Sequence, residues 1–133
     1  MQVKSFVLCE QIRQENTGKF MLLGVFGTDV VVNNMPAADR WKNPLVFGAL
    51  FALKINRDVD AGLYSVKVKA NNGTVLSSEL TLEIKKDGAS YIQLPLNIAL
   101  LLKGPSEVSL VIYKKDSSDA VAEVGKFSVV NAE

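Results

Sequence analysis

Residues 63–70 read LYSVKVKA. Successive side chains of an extended chain point to opposite faces, so Tyr64, Val66, Val68 and Ala70 share one side and Ser65, Lys67 and Lys69 the other. This alternation predicts a strand with one face buried and one in water. Asn71-Asn72-Gly73 follows, three residues that tolerate positive φ, and then TVLSSELTLEI brings Leu76, Leu80, Leu82 and Ile84 into phase. The spacing predicts a hairpin turning at 71–73. Lys86-Asp87-Gly88 marks the next turn and leads into SYIQLPL, where Pro95 removes a ladder donor and signals a strand end, a bulge or an edge. EVSLVIY and AVAEVGKFSVV are two further strands, separated by the polar loop KKDSSD.

At the N-terminus, Asn16-Thr17-Gly18 fits a three-residue hairpin loop with Gly18 in the left-handed region. That loop sets Glu15 opposite Lys19, and hence Ile12 opposite Leu22, Leu8 opposite Phe26 and Phe6 opposite Thr28. One face is then almost wholly apolar, and a slip of one residue would exchange apolar and polar partners. Arg13, Glu15 and Lys19 dress the hairpin tip, and Cys9 is expected to pack as a small apolar residue. Glu10 breaks the pattern, since it falls on the apolar face opposite Gly24. A buried carboxylate there must find a donor or be protonated, so Glu10 is a buried polar candidate, structural first and functional second.

The run from Phe6 to Phe26, F-x-L-C-E-x-I-R-x-E-N-x-G-K-F-x-L-L-G-V-F, resembles the N-terminal signature of a bacterial family of small β-rich proteins of unknown function. The turn ANNGTVL and the final GKFSVV are compatible with that family, whereas Pro105 and Ser106 depart from it. The resemblance implies a sandwich and assigns no activity to any residue.

The segment PLVFGALFALKI differs from the other strands. Leu45, Phe47, Ala49, Phe51, Leu53 and Ile55 fill one face, while Val46, Gly48, Leu50 and Ala52 make the second apolar too. The outer face of a sandwich strand normally meets water. An apolar one therefore calls for cover, either by this chain's own loop NNMPAADRWKN or by a protein partner. Met35, Trp41, Val46, Leu50 and Ala52 are the candidate partner-binding residues.

The 133 residues form one domain, 1–133, long enough to bury roughly two-thirds of the surface the unfolded chain exposes. About eight short strands without a helical stripe predict an all-β fold, an antiparallel β-sandwich of immunoglobulin-like or C2-like arrangement. A net charge of +1 with dispersed lysines leaves no electrostatic footprint for nucleic acid or an anionic membrane. The single cysteine admits no intrachain disulfide and suits a reducing compartment. No signal peptide is visible, and PLVFGALFAL and LPLNIALLL are shorter than the roughly 20 residues of a membrane-spanning helix. A soluble cytoplasmic protein is expected.

The absence of histidine removes Ser-His-Asp and Cys-His catalysis together with histidine zinc sites. No glycine-rich phosphate loop opens a helix, and nothing pairs two carboxylates across a cleft. NRDVDAG places Asn56, Asp58 and Asp60 at alternate positions, as a calcium loop begins, but Lys67 stands where the bidentate glutamate belongs. These three residues make a possible ligand loop for calcium or carbohydrate, with Asp116 or Asp119 as helpers if the loops meet. The leading expectation is a non-enzymatic interaction module, without cofactor or metal, that self-associates or binds a protein partner.

Overall fold

Residues 1–27, 29–32 and 41–131 are described by a computed structural model of the chain. Ten strands and one helical turn run through them: β1 (Gln2–Gln14), β2 (Phe20–Val25), β3 (Asp29–Val32), β4 (Leu45–Lys54), α1 (Arg57–Asp60), β5 (Gly62–Ala70), β6 (Gly73–Val75), β7 (Leu80–Ile84), β8 (Tyr91–Leu102), β9 (Ser106–Lys114) and β10 (Ala120–Asn131). They form two five-stranded sheets, ordered β2-β1-β4-β8-β6 and β3-β10-β9-β5-β7. Every neighbouring pair is antiparallel except β3 with β10. The molecule is thus an all-β sandwich.

Alternation decides what lies between the sheets. Phe47, Ala49, Phe51 and Leu53 of β4 meet Leu96, Ile98 and Leu100 of β8, and all are buried against Val66, Leu110, Ile112, Phe127 and Val129 of the second sheet. Phe47 makes edge contacts with Phe26 at 5.7 Å and Phe127 at 5.9 Å between ring centroids, tying the sheets together at one end.

The first hairpin has the register its pattern predicts. Ile12 pairs with Leu22 and Cys9 with Val25. Glu15 N donates to Lys19 O at 2.8 Å, Gly18 N donates to Glu15 O at 2.9 Å, and Gly18 adopts φ +83°. The pairing of Phe6 with Thr28 lies outside the described residues. Glu10 does sit across from Gly24, whose missing Cβ leaves space for the carboxylate group, but Glu10 is exposed, which corrects the expectation of a buried acid. Pairing of β1 with β4 stops at Cys9–Gly48 although β4 runs on to Leu45, so from Glu10 onward the hairpin parts from its neighbour.

The hairpin expected at Asn71-Asn72-Gly73 does not form. β5 pairs instead with β7, from Gly62–Ile84 to Val66–Leu80, while β6 crosses to the first sheet and pairs with Leu100–Leu102 of β8. Side-chain hydrogen bonds explain the crossing. Asn71 Oδ1 accepts from Ser106 Oγ at 2.9 Å and from Glu107 N at 3.0 Å, and Asn72 Nδ2 donates to Pro105 O at 3.1 Å. The bend is therefore fastened to the β8–β9 connection rather than closed on itself. Gly73, at φ +149°, lies against the Leu101 carbonyl, where any Cβ would collide with backbone. Leu76 falls outside the strands and is half exposed rather than in phase with Leu80. Pro95 lies inside β8 opposite Leu50, at a level that β6 does not reach, so its missing donor faces a local sheet edge.

Candidate interaction surface

The two sheets present opposite chemistry to solvent. On the second, the outward positions include Lys67, Lys69, Glu83, Glu107, Glu123 and Lys126, all but half-buried Lys67 exposed. Lys67 and Lys69 place their ammonium groups 5.2 and 4.8 Å from the Tyr113 ring centre, and Lys67 Nζ reaches Glu79 at 3.9 Å. This is a solvated face.

On the first sheet the outward rows mix aliphatic and uncharged polar side chains. Register places Val7, Leu50 and Pro95 in one row, and Val25, Cys9, Gly48 and Asn97 in another. Ser5, Ala52 and Gln93 form a third, and Val46 lies beside Ala99 and Leu101 beside Thr74. Lys54 closes one end, near Tyr91, and Ile12 lies over Gly48 beside Cys9 toward the other. The rows Ser5–Ala52–Gln93, Val7–Leu50–Pro95 and Val25–Cys9–Gly48–Asn97 carry no charge, and exposed Lys4 stands at the β1 bulge on the Lys54 side.

Exposure along this face is 64% at Val46, 60% at Val25 and 38% at Leu101. Leu50 and Ala52 are half-buried. Val46 is therefore open to solvent, and residues 33–40 of the segment read as its cover lie outside the described residues. Trp41 is half-buried against the rim of the core and lines a shallow depression with Lys42, Thr74, Leu101 and Lys103, so it borders the face rather than roofing it. Met35 lies outside the described residues.

Cys9 belongs to this face yet is fully buried, with Sγ 3.5 Å from the Gly48 carbonyl and 3.4 Å from that of Gln11. Burial raises its thiol pKa, outweighing the Gln11 carbonyl contact, so the sulfur is a packed atom rather than a nucleophile. Val25 and Leu101 were not among the candidate residues. The hairpin register contained the signal for Val25, because a partner of Cys9 must share its face, whereas Leu101 joins through the pairing of β8 with β6.

The ligand loop does not converge. Residues 57–60 form the one-turn helix α1 instead of a plain hairpin turn, and Asn56 Oδ1 caps it by accepting from Asp58 N at 3.2 Å. Asp58 is exposed. Asp60 points inward, with Oδ2 accepting from Asn56 N at 2.9 Å and lying 3.0 Å from the Met1 ammonium. Burial opposes the charged form of Asp60, but the Asn56 N–H and the Met1 ammonium outweigh it and hold the pKa below the usual value. Tyr64 Oη donates to Asp60 O at 2.6 Å. The neighbouring loop brings Lys114 and Lys115 beside residues 59–64. Among the described residues no cluster of three or more Asp, Glu, Cys or His could hold a metal ion, and no helix is long and apolar enough to cross a membrane.

No family model matches the chain, and no curated protein matches it.

Proposed function

We infer that this chain is a non-enzymatic protein-interaction module whose outer face on the first sheet docks a second copy of itself. One observation carries the reading: the rows around Val46, Leu50, Ala52, Val25 and Leu101 are uncharged and expose aliphatic side chains, while the opposite sheet is solvated by charge. Exposed contiguous apolar surface of this kind marks an interaction site. The five strands outline a face of order 700 Å², near the roughly 800 Å² each partner contributes to a standard interface.

An immunoglobulin-like arrangement is supported by the strand orders β1-β4-β8 and β10-β9-β5, which correspond to A-B-E and G-F-C. The departure is β6, which precedes β7 in the chain. In that reading the docking surface is the A-B-E face, and the module is expected to work inside a reducing compartment.

Sedimentation equilibrium tests the reading. The protein is expected to dimerise with concentration, and Val46→Lys, which puts charge at an exposed position without disturbing the core, should weaken the dimer at least tenfold. A monomer at millimolar concentration contradicts self-docking, as does a dimer indifferent to the substitution. If a different protein occupies the face, the monomer binds that protein and Val46→Lys abolishes the complex.

A further inference from the structure

We propose that the hairpin arm beyond Cys9, residues 10–25, is a latch that closes on the outer face of the first sheet through Ile12 and opens while the sandwich stays folded. The arm is complete in itself. Gln11 pairs with Leu23, Ile12 with Leu22, Arg13 with Met21 and Gln14 with Phe20, and the turn closes between Glu15 and Lys19. Little ties it to the sandwich. Pairing of β1 with β4 ends at Cys9–Gly48, and among the described residues β2 pairs with β1 alone. Neither the core nor the half-buried hydrophobic side chains packed against it include any residue from Glu10 to Val25.

Ile12 is the point of closure. A Cβ on Gly48 would stand 2.7 Å from Ile12 Cγ1 and 3.3 Å from Cys9 Sγ, so the isoleucine occupies the space that any other residue of β4 would fill there. Cys9 lies in an outward row with exposed Val25 and Asn97, yet its own exposure is 0%. Half-buried Ile12, which meets the same side of Gly48, is the side chain placed to cover the thiol.

The same stretch supplies a hinge. β1 leaves β4 after Cys9, and across from Glu10 the second strand carries Gly24 at φ +65°, a conformation that glycine adopts readily. A two-stranded hairpin is marginal by itself, and a segment with few buried contacts opens at a smaller free energy than the core beside it. Closure seats Ile12 and shields the thiol. Opening uncovers Gly48 and Cys9 and lengthens the uncharged surface of β4 and β8. The latch stands on the arm alone, whereas its regulation rests on the face-to-face docking proposed for the module: a copy seated over Val25 and Val46 spans the root of the arm and holds it shut.

Alkylation of Cys9, the chain's only cysteine, measured in dilute protein beside amide hydrogen exchange tests the latch, because a fully buried sulfur reacts only when its cover lifts. Protection of Cys9 against alkylation is expected to be at least about a hundredfold smaller than protection of the β4 and β8 amides, and to change little with low urea, since local opening exposes little surface. Ile12→Ala should speed alkylation by roughly tenfold while the β4 and β8 amides stay as protected as in the parent. Cys9 protection equal to that of β4, with the urea dependence of global unfolding, overturns the latch, as does alkylation indifferent to Ile12→Ala. Alkylation at millimolar protein separates the latch from the docking. Slowing in the parent but not in Val46→Lys supports the held-shut state. A dimer by sedimentation whose Cys9 reacts as fast as the monomer's overturns that coupling. A parent that stays monomeric contradicts the face-to-face docking, while fast alkylation of its Cys9 still supports the latch.

Discussion

Asp60 is the described carboxylate most enclosed by the fold, and its surroundings favour its charge. Its folded pKa lies below the unfolded value, so the unfolded chain binds protons more readily, and the stabilisation is present above the unfolded pKa of about 3.9 and fades as pH falls through the folded value. Asp60→Asn should lower stability near neutral pH by about 1–3 kcal/mol, the cost of weakening a charge-assisted hydrogen bond. The difference between parent and variant should shrink below pH 4. Urea denaturation at pH 7 and pH 3 measures both. Asp60 was read in the sequence as one of three ligand-loop residues. What the pattern did not contain was Met1, because an ammonium brought from the far end of the chain leaves no local trace.

At the scale of elements, local pattern was sufficient where the partner was adjacent in sequence and insufficient elsewhere. The β1–β2 register was legible because turn chemistry at Asn16-Thr17-Gly18 and the apolar alternation agree on it. Asn71-Asn72-Gly73 has equally good turn chemistry, yet its side chains serve Ser106, Glu107 and Pro105 more than thirty residues away. Nothing in the segment itself distinguishes a hairpin from a crossing between sheets. Asn71→Ala removes the acceptor for Ser106 Oγ and Glu107 N and should cost about 1–2 kcal/mol. Gly73→Ala should cost more, because the conformation resists a side chain and the Leu101 carbonyl is backbone and cannot rotate away. Denaturant titration of the two variants, compared with Leu76→Ala at an exposed loop position, ranks them. Equal stability of all three would remove the anchoring role of the bend.

At the scale of the molecule, the second apolar face of β4 was legible from Val46, Leu50 and Ala52 alone, since alternation leaves no other place for them. Its extent was not, because Val25 and Leu101 join the face only through pairing with β1 and β6. Glu10 shows the reverse error: its register was right and its burial wrong, because a sequence does not reveal where one strand parts from its neighbour. The central claim is that the first sheet's outer face meets protein while the second sheet's face meets water. Methyl and amide shifts followed by NMR on dilution from millimolar to micromolar concentration test it most directly. The account predicts concentration-dependent shifts at Val46, Leu50 and Leu101, with Lys69, Val111 and Lys126 unchanged. Shifts confined to the second sheet, or none on either, would contradict it.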